Sequence, residues 1–169
     1  MPKISDKIFL NHKLLNKEQH LLLAISGGAD SVLLAHLLSA HNYNFSLAHC
    51  NFKLRGKDSD KDEEFCKNLA KELKVKFYTK AFNVASYQKE KKGSIQMAAR
   101  ELRYNWFEEI LKKEKLDFIL TAHNANDVIE TFFLNIVRGT GLNGLKGIPE
   151  KKGKVLTTFV CYKISLRGK

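Results

Sequence analysis

Leu21-Leu22-Leu23-Ala24-Ile25-Ser26-Gly27-Gly28-Ala29-Asp30-Ser31-Val32-Leu33-Leu34 is the stretch from which the fold can be read. Residues 21–25 are an apolar run of strand length, residues 26–28 break it, and a second apolar run over 32–38 suits a buried helix. A strand, a glycine turn and a helix start together offer unpaired backbone N–H groups at the positive end of a helix dipole. Phosphate is the usual guest of such a cradle. Gly27 and Gly28 allow a sharp turn and a close approach, and Ser26 and Ser31 add hydroxyl donors. The spacing is neither G-x-G-x-x-G nor G-x-x-x-x-G-K-[ST]. The loop carries Asp30 instead, and a carboxylate beside phosphates calls for a cation between them, which points to Mg²⁺. The plain alternative is a strand–helix turn with Asp30 capping the helix.

The 169 residues suit one domain with a core of its own. No apolar run nears the ~20 residues of a membrane span, and the N-terminus lacks the apolar centre of a signal peptide, so a cytoplasmic location without membrane attachment is expected. Cys50, Cys66 and Cys161 are scattered and in no C-x-x-C spacing, which disfavours a disulfide framework or a zinc site. They are expected as small buried hydrophobes in a reducing compartment. The net charge of +11 suits a polyanionic partner, and residues 150–169 carry six basic residues against one acid. Solvated lysine-rich helix faces would give the same balance.

Taken in order, residues 4–15 have apolar residues at helical intervals, and a short leading helix is expected there. After the first strand and helix, 43–49 reads as a second strand. Asp58-Ser59-Asp60 reads as a helix N-cap, with Asp62, Glu63 and Glu64 in the first turn and Phe65, Leu69 and Leu73 facing inward. A strand follows over 75–79, then an ambiguous stretch over 83–92 that is expected to be helical and exposed. Gly93-Ser94 opens a long helix to about Lys115, with Ile95, Ala99, Leu102, Trp106 and Ile110 inward. A strand over 117–122, a helix over 126–137, a glycine-rich loop over 139–147 and a last strand over 155–164 complete the pattern. Strands alternating with helices imply a parallel sheet between helical layers, an α/β fold.

In such a fold ligands bind where the strands end and their order reverses. The strand-end residues are then Ser26 to Asp30, His49 with Asn51, and His123 with Asn126 and Asp127. On the helix after His123, Asp127 and Glu130 share a face, opposite an apolar stripe of Ile129, Phe132, Phe133 and Ile136. Two carboxylates there suit a metal or an ammonium group; an acidic first turn answering the helix dipole is the alternative.

Five segments carry a resemblance. Ser26-Gly27-Gly28-Ala29-Asp30-Ser31 resembles the S-G-G-x-D-S loop of the ATP-pyrophosphatase (PP-loop) superfamily, of the adenine nucleotide α-hydrolase type. His49-Cys50-Asn51-Phe52-Lys53-Leu54-Arg55-Gly56 resembles H-x-N-x-x-L-R-G, and Ala98-Ala99-Arg100-Glu101-Leu102-Arg103-Tyr104 resembles A-A-R-x-x-R-Y. Thr121-Ala122-His123-Asn124-Ala125-Asn126-Asp127-Val128-Ile129-Glu130-Thr131 is similar to T-A-H-x-x-D-D-x-x-E-T. Arg138-Gly139-Thr140-Gly141-Leu142-Asn143-Gly144-Leu145 is similar to R-G-[ST]-G-x-x-G-L. In this order, over about residues 20–149, they resemble the N-terminal catalytic domain of the tRNA(Ile)-lysidine synthetases.

That resemblance implies a three-layer, Rossmann-like α/β fold, with a catalytic domain over 1–150 and a terminal strand and basic tail over 151–169. It implies a ligase that uses ATP and Mg²⁺ to adenylate the C2 oxygen of the wobble cytidine of tRNA(Ile) with a CAU anticodon. Free L-lysine then displaces AMP to give lysidine. By the same resemblance Ser26, Gly27, Gly28, Ala29, Asp30 and Ser31 hold the pyrophosphate end of ATP, and Asp30 its Mg²⁺. His49 and Arg55 line the adenine side. Arg103 acts on the α-phosphate, with Arg100 one turn away, and Asp127 and Glu130 grip the lysine ammonium. The residues expected to be catalytic are thus Asp30, Arg103 and Asp127; a surface ion pair with Glu101 or Glu108 is the alternative for Arg103.

The chain departs from the pattern at Asn126, where the family has the first acid of its D-D pair, and at Phe52, where many members carry a His. The family's helical and C-terminal tRNA-gripping domains are expected to be absent, which implies weak tRNA binding. Some members are dimers, so a homodimer is open. A tRNA thiolase with the same loop and a non-catalytic nucleotide- or RNA-binding module are the alternatives. Scattered cysteines disfavour the first, and Asn126 favours the second.

Overall fold

The computed structural model describes residues 15–54, 56–84, 86–87, 94–124 and 151–160. β1 (His20–Ala24) leads through a short turn into α1 (Ala29–Ala40), then β2 (Asn44–Asn51), α2 (Lys57–Glu72) and β3 (Phe77–Ala81). α3 (Ile95–Glu114), β4 (Phe118–Asn124), β5 (Lys151–Lys152) and β6 (Val155–Val160) follow. The strands form one sheet in the order β3-β2-β1-β4-β6-β5. β1 pairs parallel with β2 and β4, β2 with β3, and β4 with β6; only the β5–β6 hairpin is antiparallel.

The strand alternation builds two cores, as a period of two requires. Leu21, Leu23, Leu47 and Leu120 point to one face, where α1 brings Leu34, Ala35 and Leu38 and α2 brings Cys66, Leu69 and Ala70. Leu22, Ala48 and Ile119 point to the other, under Trp106, Phe107, Ile110 and Leu111 of α3. Leu21, Leu22 and Leu23 are fully buried, because β1 is central and covered on both sides. Three layers result, the expected α/β architecture. The connections out of β1 run to one side of it and α3 returns the chain to the other, so a crevice opens beyond the C-terminal ends of β1 and β4.

At the opposite edge the strand starts are tied together. His20 N–H donates to Asp117 Oδ2 at 2.8 Å, Asp117 N–H returns a bond to His20 O at 2.9 Å, and the His20 ring meets Ser46 Oγ at 2.9 Å. Lys76 pairs with Glu114 at 2.5 Å.

Several expectations change. α2 begins at Lys57 behind Gly56, whose φ of 54° and ψ of −123° are open to glycine alone; Asp58-Ser59-Asp60 is the first turn and not its cap. Phe65 is 48% exposed and Cys66 takes the inward place, one residue along the same helix. Ile95 is likewise exposed at the start of α3, where Ser94 caps the helix by accepting from Met97 N–H at 3.2 Å. β3 starts two residues later than expected, because Val75 N–H still bonds back to Ala70 O at the end of α2. Val84, expected on an exposed helix, is buried in the second core. The expected leading helix over 4–15 lies almost wholly outside the described residues, as do the helix over 126–137 and the glycine-rich loop. Among the described residues no helix is long and apolar enough to cross a membrane.

Candidate nucleotide site

A cleft of ≈ 340 Å³ occupies the crevice. Its floor is the ends of β1, β2 and β4, through Ala24, Ile25, Ala48, His49 and Thr121. One wall is Ser26 and Ser31 with Asp62 of α2, and the other is Arg100, Arg103 and Tyr104 of α3. Phe52 and Leu54 form the lip. The sheet order thus brings three separated sequence segments, those of Ser26, His49 and Arg103, to one place.

The 26–31 loop is held by its own hydroxyls. Ser31 Oγ donates to Gly28 O at 2.9 Å, which leaves it to accept from Ser26 N–H and from Ser26 Oγ, both at 3.3 Å. Ser26 Oγ in turn accepts from Gly28 N–H at 3.3 Å, closing a ring of bonds. Gly27 turns the chain at φ +88°; a Cβ there would meet Cys66 Sγ at an ordinary 3.7 Å, so backbone conformation and not space requires the glycine. Gly28 caps α1 with no side-chain bond, and the first intrahelical bond is Val32 N–H to Gly28 O at 3.1 Å. The N–H groups of the first turn therefore lack intrahelical acceptors and carry the positive end of the helix dipole. Asp30 sits in that turn without capping it. Its Oδ1 is buried and has no hydrogen-bond partner among the described residues.

An orphaned, buried carboxylate oxygen at an anion cradle fits a hard cation such as Mg²⁺, which takes one or two carboxylates and completes its shell with phosphate and water. Among the described residues no cluster of three or more His, Cys, Asp or Glu side chains is spaced to enclose a metal by itself. Thr121 Oγ1, midway along β4 and beside the end of β1, is a second buried polar atom without a partner among the described residues.

His49 is 5% exposed, and its Nδ1 donates to Ile25 O at 2.9 Å, so it both lines the cleft and ties β2 to β1. Arg103 lies with its Cζ 5.3 Å from the centre of the Phe52 ring, and Arg100 stacks on Tyr104 of its own helix at 5.2 Å. Cys50 also lines the cleft. Burial pushes its thiol up to about 12, against the opposing pull of Arg103 and Lys80. Cys66 is raised to about 12 as well, by burial and then by Asp62 and Glu63. Neither thiol is poised as a thiolate. Arg55, Asn126, Asp127 and Glu130 lie outside the described residues.

Sequence reasoning missed Thr121, Tyr104 and Asp62 as parts of the cleft. The first two stand inside the motifs given above, on a strand and on the face of Arg100; nothing in the sequence signals Asp62.

Comparison with known proteins agrees with this geometry. The PP-loop domain model matches residues 3–160. A tRNA(Ile)-lysidine synthase of Bacteroides thetaiotaomicron is 44% identical over 144 residues, covering 85% of this chain and 34% of that protein. One from Chlorobaculum tepidum is 38% identical over 166 residues, covering 94% and 50%. This chain therefore spans about a third to a half of the relatives it matches. Among solved structures, a U34-tRNA thiolase from Methanococcus maripaludis with a [4Fe-4S] cluster superposes with a TM-score of 0.66. It covers 87% of this chain and 53% of its own at 20% identity, a likeness of fold. On the match across nearly its whole length, with the loop and cleft described above, the chain belongs to the PP-loop domain family.

Proposed function

We propose that this chain is the catalytic domain of a cytoplasmic tRNA(Ile)-lysidine synthetase, binding ATP, the wobble cytidine of tRNA(Ile) and free L-lysine. One observation carries the reading: Ser26 and Ser31, the two ends of the 26–31 loop, and Arg103 line a single cleft, in a chain whose relatives bear that name. In the first step the cytidine C2 oxygen bonds to the α-phosphorus of ATP. The bond from that phosphorus to the oxygen bridging to the β-phosphorus breaks, and pyrophosphate leaves. In the second, the lysine amine attacks C2, the C2–O bond breaks, AMP departs with the electron pair, and the amine gives up a proton.

The first-turn N–H groups of α1 bind the pyrophosphate end, where charge collects as the bond breaks, and the Ser26 and Ser31 hydroxyls brace the loop that presents them. Asp30 would hold Mg²⁺, which supplies positive charge to the departing pyrophosphate. The lack of a P-loop lysine in the loop accords with loss of pyrophosphate and not transfer of a terminal phosphoryl group. Arg103 presents a planar fork of N–H donors to the α-phosphate. His49, with Arg55, borders the adenine, and Asp127 and Glu130 bind the lysine ammonium; for Arg55, Asp127 and Glu130 the support is the motif alone. Asn126 removes one negative charge beside that pair, so lysine affinity should rise when Asp is restored there.

Incubation with ATP, Mg²⁺, lysine and the anticodon stem-loop of tRNA(Ile) tests the reading. Lysine-dependent AMP release is expected. Release that needs a sulfur donor would mean thiolation, and ATP and RNA binding with no release would mean a binding module.

A further inference from the structure

We propose that Phe52 is a positioning residue for Arg103, its ring holding the guanidinium flat at the cleft while leaving the N–H edge for phosphate. This rests on the adenylation reading above.

A helix arginine is a long side chain with much rotamer freedom, and an enzyme that needs it at one point must restrain it. A carboxylate partner would do so by engaging the N–H donors and offsetting the charge. An aromatic ring engages only the face, so the in-plane donors and the positive charge remain available. The Arg103 Cζ lies 5.3 Å from the Phe52 ring centre, within the range of such stacking.

The ring is itself supported. Phe52 meets Phe82 at 5.5 Å between centres, and Phe82 meets Trp106 edge-on at 5.9 Å. Phe82 and Trp106 are both buried. Trp106 is on α3 with Arg103, so the shelf starts and ends on the same helix. The backbone under Phe52 is tethered as well. Phe82 N–H donates to Asn51 O at 2.8 Å, and Lys53 N–H donates to Asn51 Oδ1 at 3.0 Å. The Asn51 amide, 1% exposed, donates to Asp60 at 2.9 Å and Glu63 at 2.7 Å on α2.

The test uses Phe52→Ala, Phe52→Trp and Arg103→Ala, singly and as the pair Phe52→Ala with Arg103→Ala. For Phe52→Ala, pyrophosphate release with the stem-loop should slow about 10- to 100-fold in kcat, with ATP affinity within about twofold of wild type. Phe52→Trp should restore most of the rate, and Phe52→Ala should cost nothing further once Arg103 is gone. The Arg103 Nε–H resonance should show a ring-current shift that Phe52→Ala removes. Equal losses with and without Arg103, or a resonance indifferent to Phe52, would overturn the inference. A wild-type chain that releases no pyrophosphate would overturn the functional reading and this one with it. An active wild type with additive losses would overturn this inference alone.

Discussion

At the edge where the strands begin, His20 bonds to both Asp117 and Ser46 within 2.9 Å, and Lys76 finds Glu114. Toward the edge where they end, Asp30 Oδ1 and Thr121 Oγ1 are buried without partners among the described residues, and Arg103 rests on a ring. The same sheet supplies both edges, so composition is not the cause. The first edge is closed by bonds that stabilise the fold. At the second, donors and acceptors are held in place with their capacity unspent, a cost in stability that makes sense where a ligand completes them.

Substitutions should separate these edges. The largest effect is expected for Asp30→Asn: pyrophosphate release falls about 100-fold or more, while the melting temperature holds, because the carboxylate makes no hydrogen bond through its buried Oδ1 among the described residues. A rate near wild type would remove Asp30 from the site. Gly27→Ala forces a Cβ onto φ +88° and should destabilise by about 1–2 kcal/mol in urea unfolding, since the surrounding space is adequate. Asp117→Ala removes the acceptor for His20 N–H and should cost about 1 kcal/mol with the rate unchanged. A loss of rate there would mean that the two edges are coupled. The smallest effect concerns pH. Burial lowers the His20 pKa, against Asp117 and Glu114 and with Lys76, so the unfolded chain binds a proton first as pH falls through 6.5. Stability should therefore decline on acidification below that point and level off under the folded pKa, and His20→Gln should flatten that part of the profile. Thermal melts from pH 7.5 to 5.5 read it.

How far the sequence revealed this contrast varies by element. The central strand was plain, because burial on both faces leaves an unbroken apolar run at 21–23. The 26–31 loop was plain for the opposite reason: only a turn at the edge of a sheet tolerates such a cluster of small and polar residues. The helix faces were harder. Apolar spacing admits Phe65 or Cys66 as the inward residue of α2, and packing against β2 and β3, not periodicity, selects Cys66. The β5–β6 hairpin was invisible, since Lys151-Lys152 has no strand signal and pairs only because Gly153, at φ 61°, turns the chain back. In the site, Arg103 could be named from its motif, but its seat on Phe52 joins segments distant in sequence and follows from the strand order.

The bond between His49 and Ile25 has one more consequence. Because Nδ1 gives its hydrogen to a carbonyl, the neutral ring carries a lone pair on Nε2. A ligand group meeting that nitrogen must bring the proton itself, as an amino group does and a bare carbonyl does not. The backbone carbonyl of Ile25, just past β1, thereby decides which hydrogen-bond pattern His49 can read.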